Sequence, residues 1–367
     1  MPTHRPLWVR AGITTAGVAL SLAMIGGAVV AQSPAASPST SAILAASAAP
    51  VASTAPQLDV NTATQEEIAA AFTAAGIPNA ERWAQEVADL LARHGGGNRR
   101  LAVDRCDPWG AQRLTHKGIE LFDAQPLMEQ ARLIKSSEEV ASHRVSMGVC
   151  DLAIARMRTS LVPGVTENQL WSIMHGTNVA HGGEWAESRL LSSGPRTNPW
   201  FQDATDKVIK AGEMVCFDTD MVGPGGYLSD ISRSFVCPGK APTTAQRDLL
   251  EIASQQINHN VELLRPGLSF GEFAEHCWPV PKRFEHNRYM MMLHGVGLVD
   301  EYPSVAYAVD FAEWGYDGLF EENMVVSVES YIGEQVGGEG VKLEEQVLIS
   351  ANGPIKLSRT PLVDGDR

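Results

Sequence analysis

Cysteine is scarce in this 367-residue chain, and basic charge is in the minority. The five cysteines (Cys106, Cys150, Cys216, Cys237 and Cys277) are odd in number and scattered. They make neither a disulfide framework nor a pair with zinc-knuckle spacing, and they read as buried free thiols. Lysine and arginine total 29 against 43 acids, a formal net charge of −14. Binding a nucleic-acid backbone takes a basic face, so nucleic acid is excluded as the main partner. Charge of either sign is missing altogether from residues 11–58. With 44% hydrophobic and 20% charged residues, the chain has a globular composition and the length for one large domain plus something smaller.

The uncharged stretch follows His4, Arg5 and Arg10 and begins with an apolar run, residues 11–31, that ends in Val29-Val30-Ala31 before Gln32. A basic flank, an apolar centre and a small-residue end predict an export signal over residues 1–31. The run is also long enough to span a membrane uncleaved. Residues 32–56, made of Ala, Ser, Pro and Thr with almost nothing to bury, predict a flexible linker. Residues 57–95 predict a small helical hairpin. Thr64 and Glu67 form a capping box, Gly76-Ile77-Pro78 breaks the first helix, and Trp83, Val87, Leu90 and Leu91 mark a second. Asn61-Thr62-Ala63-Thr64 with Gly76-Ile77 is weakly similar to the helix-hairpin-helix of competence-type DNA-binding proteins. Six acids against two arginines oppose that role here.

From Arg132 onward the chain is densely patterned. A capping box at Ser136 and Glu139 opens a long helix that stops at Pro163-Gly164, and a second long helix begins near Thr243 and stops at Pro266-Gly267. The two stops match. Pro163-Gly164-Val165-Thr166 is followed by Gln169, and Pro266-Gly267-Leu268-Ser269 by Glu272, 103 residues on. Two similar half-domains related by a pseudo-twofold are expected. Strand-like runs lie between and after the helix pairs, at residues 214–220, 228–237, 324–332 and 341–349. Helix pairs plus antiparallel hairpins, twice over, predict an α+β fold.

Each strand-like run carries acids where a core strand should not. Met214-Val215-Cys216-Phe217 leads into Asp218-Thr219-Asp220, and residues two apart on a strand share a face. A Gly-Pro-Gly-Gly turn at 223–226 returns the chain to Asp230. Val325-Val326-Ser327-Val328 carries Glu329, Val341-Lys342-Leu343 carries Glu344 and Glu345, and His294 lies in the loop Leu293-His294-Gly295-Val296-Gly297. Glu344 and Glu345 face opposite ways, so one of them points inward. Clustered carboxylates raise one another's pKa unless cations compensate. An oxygen-rich set with one imidazole suits two divalent ions, with Fe²⁺, Mn²⁺, Co²⁺ and Zn²⁺ all open.

An Asp hairpin, a His-Gly-x-Gly loop and glutamates on two successive strands resemble the metal signature of the pita-bread superfamily, which holds methionine aminopeptidases, prolidases, aminopeptidase P and creatinase. The resemblance runs from about Leu127 to Ile349 and includes Arg132-Leu133-Ile134-Lys135-Ser136 and Asp230-Ile231-Ser232-Arg233-Ser234. It implies a pita-bread domain over residues 128–367 with Asp218, Asp220, Asp230, His294, Glu329 and Glu344 as ligands, Asp230 and Glu344 bridging. It departs from the peptidases at two places. Trp200 follows Gly194-Pro195-Arg196-Thr197-Asn198-Pro199, and Asp300-Glu301-Tyr302-Pro303 follows the glycine loop, where peptidases of this kind carry histidines.

One branch is similar through Phe217-Asp218-Thr219-Asp220-Met221, Val328-Glu329-Ser330-Tyr331-Ile332-Gly333 and Val341-Lys342-Leu343-Glu344-Glu345-Gln346-Val347-Leu348. It is the DddP-type dimethylsulfoniopropionate lyases. That resemblance implies β-elimination of a small zwitterion to dimethyl sulfide and acrylate, with Asp300 as base and Tyr289 beside it. Tyr289, Trp200, Tyr302 and Trp314 are the expected aromatic faces for the sulfonium. It also implies a homodimer and a cytoplasmic location, the latter opposed by the expected export signal. Residues 98–127 resemble only the tail of the larger creatinase-type N-terminal domain. Two other readings stand beside the lyase: an Xaa-Pro dipeptidase or aminopeptidase of the same fold, and a binding module on a truncated fold.

Overall fold

A computed structural model describes residues 65–363, with side chains from residue 80 onward. The expected export signal and linker lie outside the described residues. The chain divides into two compact units, at Gln125/Pro126.

The described part of the first unit holds α1 (Gln65–His94), β1 (Arg100–Val103), α2 (Pro108–His116) and β2 (Glu120–Asp123). The expected hairpin is instead one continuous 30-residue helix. Proline in a helix removes one backbone bond and costs about 3 kcal/mol. Alanine-rich sequence on both sides of Gly76-Ile77-Pro78 supplies the propensity that carries the helix through. At α2, Pro108 occupies the first turn, where its missing N–H is no loss, and Asp107 caps the helix by accepting from the Gly110 N–H at 2.9 Å. β1 and β2 pair in parallel over a small core of Ala84, Leu114 and Ile119.

The second unit begins with α3 (Gln125–Arg132), α4 (Ser137–Ser160) and α5 (Glu167–Ala180). β3 (Leu191–Ser193), β4 (Met214–Asp218), β5 (Met221–Val222), β6 (Leu228–Ser229) and β7 (Ser232–Val236) follow. Then come α6 (Thr244–Leu263), α7 (Phe270–His276), β8 (Leu293–Val296), β9 (Asp300–Val305) and α8 (Phe311–Trp314). β10 (Val325–Gly333), β11 (Gly340–Ser350) and β12 (Gly353–Lys356) close the unit. Capping boxes form as expected at Ser136, Thr166 and Ser269, and also at Thr243; the one expected at Thr64 lies outside the described residues. The antiparallel sheets run β3-β4-β7 and β12-β11-β10-β8-β9, and two apolar clusters are each built from residues of both sheets.

The internal repeat is visible in the backbone hydrogen bonds. Gly164 N–H donates to Ile209 O at 2.9 Å, and Gly267 N–H to Phe320 O at 2.8 Å. The helix caps Thr166 and Ser269 bridge to Val208 and Leu319. Each bridge leads by the same number of residues into a strand, β4 or β10, that delivers one acid, Asp218 or Glu329. The two half-domains thus present their carboxylates to each other by construction.

One buried ion pair ties the end of the chain to this frame. Arg233 on β7 is fully buried and donates to Glu345 Oε2 at 2.9 Å, to Ser358 Oγ at 2.9 Å and to the carbonyls of Thr360 and Pro361. Arg233→Met leaves Glu345 charged and unpaired, and should cost roughly 3–5 kcal/mol in urea unfolding. Adding Glu345→Gln should recover part of that loss; a double variant as unstable as the single one would contradict the pairing.

Candidate metal centre

One strand end, three positions within strands and two segments between strands bring the six expected ligands together. β4 ends on Asp218, and Glu329 on β10 stands directly opposite Glu344 on β11. Asp230 lies in the gap between β6 and β7, held by its own backbone: its N–H donates to Gln346 Oε1 at 3.0 Å and its carbonyl accepts from Ser327 Oγ at 2.8 Å. Gln346 is in turn fixed on Leu228 O and on His143 Nδ1, an imidazole that burial depresses to about 4 and so keeps neutral. His294 Nε2 lies 3.3 Å from Asp230 Oδ2, 3.5 Å from Glu344 Oε1 and 3.6 Å from Glu329 Oε1. Its Nδ1 faces Gly295 O at 3.1 Å, which leaves the Nε2 lone pair for a ligand role.

Asp220 reaches the site by a route that strand alternation did not foresee. β4 stops at Asp218, and Asp220 sits in the left-handed region at φ +37. Aspartate tolerates that region better than most residues. Its Oδ2 accepts from Ser188 Oγ, and its carboxyl faces those of Asp218, Asp230 and Asp300. The inward member of the Glu344-Glu345 pair is Glu344; Glu345 turns to Arg233.

The electrostatics follow from burial. Removal from water, with Glu344 beside it, pushes Asp218 up to about 7. Burial and neighbouring carboxylates lift Asp220 and Asp230 well above the ordinary range and raise Glu329. Burial opposes ionisation of Glu344 as well, yet Lys342 and His294 hold that carboxyl well below its ordinary value. Ligating atoms of Asp218, Asp230 and Glu344, and of His294, Glu329 and Glu344, converge within 4.8 Å of one another. Asp230 Oδ1 and Glu344 Oε1 are buried without a hydrogen-bond partner. Orphaned carboxylate oxygens beside an imidazole are the donor set that divalent cations take, so these residues fit metal.

Sequence reasoning missed Lys342. The residue is fully buried, with Nζ 2.6 Å from Glu329 Oε2, 3.1 Å from Glu344 Oε2 and 3.2 Å from Asp218 Oδ2. Its signal was available: it sits two residues before Glu344 in an apolar strand, hence on the same face.

Asp300 stands at the rim. It opens β9 with its side chain 51% exposed and Oδ1 3.6 Å from His294 Nδ1. Its atoms also converge with those of Asp230 and His294. The next residue anchors it: Glu301 is buried and paired with Lys135 at 2.7 Å and Arg132 at 3.0 Å. Gly297 is required there, since a Cβ would lie 2.2 Å from Glu301 Oε1.

The aromatic expectations divide. Tyr289 lies with its ring centroid 4.7 Å from Lys342 Nζ, and Trp200 with its ring at 5.8 Å. The rings read as faces for a substrate cation thus already face the protein's own ammonium. Both line a cleft of about 290 Å³ with Phe201, Tyr331 and His286, a histidine whose sequence surroundings gave no sign of a site. Phe201 is 57% exposed, holds φ +78 and stacks on Tyr289 at 6.5 Å. Positive φ is an outlier for a bulky residue. Tyr302 goes elsewhere, against Phe270 at 6.0 Å and Tyr316 at 5.6 Å. A register shift between His294 and Gly295 breaks the β8–β9 alternation, and the ring takes apolar partners. Trp314 is half-buried on α8, an element that carries none of the clustered residues.

Residues 141–351 match the profile of metallopeptidase family M24. Dimethylsulfoniopropionate lyase DddP of Roseovarius nubinhibens is 38% identical over 287 residues, 77% of this chain and 64% of the lyase. The Xaa-Pro dipeptidase of Pyrococcus furiosus is 27% identical over 239 residues, 64% of this chain and 65% of that enzyme. The chain therefore spans just under two thirds of the length of these curated relatives. The solved Xaa-Pro dipeptidase from Bacillus anthracis superposes with a TM-score of 0.64 at 22% identity, over 76% of this chain and 77% of that one. The α+β pita-bread architecture expected from the sequence is the one these neighbours share. Since the matched profile spans both half-domains and all six clustered residues, the chain belongs to metallopeptidase family M24.

Proposed function

We propose that the chain is a divalent-metal-dependent lyase that cleaves dimethylsulfoniopropionate to dimethyl sulfide and acrylate. The observation that carries this reading is Asp300, a half-exposed carboxylate at the rim of the buried cluster, 3.6 Å from His294. Asp218, Asp220, Asp230, His294, Glu329 and Glu344 would hold two divalent ions, whose chemistry when bound is to offset the negative charge that builds on the substrate carboxylate.

The chain's own residues do the rest. Asp300 accepts the α-proton. The C–H electron pair becomes the second bond between the α and β carbons. The β carbon–sulfur bond breaks, and sulfur keeps that pair and leaves as neutral dimethyl sulfide. The exposed ring of Phe201, stacked on Tyr289, offers an aromatic face for the substrate's cationic sulfur before it leaves. His294 and the pair between Glu301 and Lys135 hold Asp300 in place. The identity to a lyase of that activity supports the reading. The Xaa-Pro peptidase reading shares the fold. It lacks the two histidines, since Trp200 and Asp300 occupy their places.

Asp300→Asn is close to isosteric and cannot take a proton. It should lower dimethyl sulfide release roughly 10²–10⁴-fold with metal content and melting temperature unchanged; unaltered release contradicts the base assignment.

A second expectation concerns pH. Asp218, titrating near 7, and Asp220 and Asp230, displaced upward by burial, keep protons in the folded metal-free chain that the unfolded chain releases at about 4. Folded protein binds more protons in that window, so metal-free stability falls as pH rises from about 4 to 7. Metal displaces those protons, so the rise in melting temperature on adding Mn²⁺ should be larger at pH 7.5 than at pH 5. An equal rise at both values would contradict metal binding by these carboxylates.

A further inference from the structure

Among the described residues, the buried acids of the centre number five, and the lysine in contact with them is Lys342. An ammonium withdrawn from water costs several kcal/mol unless its partners are close and well placed. Here three carboxylates lie within 3.2 Å, Ser232 Oγ accepts at 2.7 Å, and the rings of Tyr289 and Trp200 cover the rest. The same Ser232 hydroxyl donates to Glu344 Oε2 at 2.9 Å, so lysine and glutamate share one support. Nothing in the elimination proposed above uses this side chain.

The charges show what it does. Five ionised carboxylates with a neutral imidazole carry five negative charges. Two divalent ions cancel four, and one ammonium cancels the fifth. We infer that Lys342 is the resident counter-ion of the metal centre: it holds the facing acids of the two half-domains together before metal arrives, and it makes the filled centre neutral. A neutral centre lets a further anion approach without repulsion, whereas a centre lacking this ammonium would repel it. The inference concerns assembly of the site and does not depend on which reaction the site performs.

The test compares full-length Lys342→Met and Lys342→Arg with the parent chain, metal-free and loaded with Mn²⁺ at pH 8. Thermal unfolding and elemental analysis are read in parallel. Metal-free Lys342→Met should melt roughly 10 °C below the metal-free parent, the scale expected when one partner of a buried charge pair is lost from a domain this size. Mn²⁺ should restore most of that loss, with metal content equal to the parent's. Lys342→Arg, which keeps the charge, should stay near the parent in the metal-free state. The double variant Lys342→Met/Glu329→Gln, one negative charge fewer, should melt above Lys342→Met when both are metal-free. Equal metal-free melting of parent and Lys342→Met would overturn the inference. So would loss of metal from Lys342→Met, its failure to fold with Mn²⁺ present, or no recovery in the double variant. Since no reading is turnover, failure here leaves the lyase proposal standing, and an inactive but normally responding chain leaves this inference standing.

Discussion

Mutual repulsion among five buried carboxylates is the constraint on which the rest of this molecule turns. No apolar core would gather Asp218, Asp220, Asp230, Glu329 and Glu344 unless positive charge were to be bound among them. Their answer is visible in three forms: carboxyl groups displaced toward the protonated form, orphaned oxygens on Asp230 and Glu344, and a buried ammonium on Lys342. Protonation and the ammonium each reduce that repulsion, and the oxygens left without a partner fit divalent cations.

The fold delivers these acids through repetition. A helix, a Pro-Gly stop and a capped second helix occur twice, with matching hydrogen bonds at Gly164 and Gly267. Each repeat runs into an antiparallel hairpin whose central strand ends in, or carries, a carboxylate. The acids converge because β7 of one sheet is hydrogen-bonded through Ser232 and Ser234 to Glu344 and Lys342 on β11 of the other. Around the clustered acids, neutral groups hold geometry without adding charge: Gln346 on the Asp230 amide, Ser327 on its carbonyl, and His143 behind Gln346. Charged supports are kept paired and apart, as in Arg233 with Glu345 and Lys135 with Glu301.

Much of this was legible in the sequence, for identifiable reasons. Capping boxes are local, so the helix starts at Ser136, Thr166 and Ser269 were readable from residues three apart. Carboxylates in or beside apolar strands stand out because valine or isoleucine is the usual residue there, so the residues that the fold brings together could be named. What failed was non-local or depended on backbone detail. The helix through Pro78 needed the summed propensity of its flanks. The left-handed turn at Asp220 was hidden by an assumed regular strand. Tyr302 was misplaced because one register shift redirects a side chain. Lys342 was overlooked because charge was counted among the acids alone, although its place two residues before Glu344 fixed its direction. Phe201 carries an exposed ring on a strained backbone, which no sequence pattern reports.

The chemistry assigned to the site rests on one departure from its peptidase relatives: an aspartate at the rim where a histidine would serve amide hydrolysis. The direct measurement is product release by the full-length, Mn²⁺-loaded chain. Dimethylsulfoniopropionate and an Xaa-Pro dipeptide are supplied in parallel, and dimethyl sulfide, acrylate and proline are quantified. The account predicts dimethyl sulfide and acrylate in equal amounts, abolished by EDTA, with no proline. Proline release without dimethyl sulfide would contradict it.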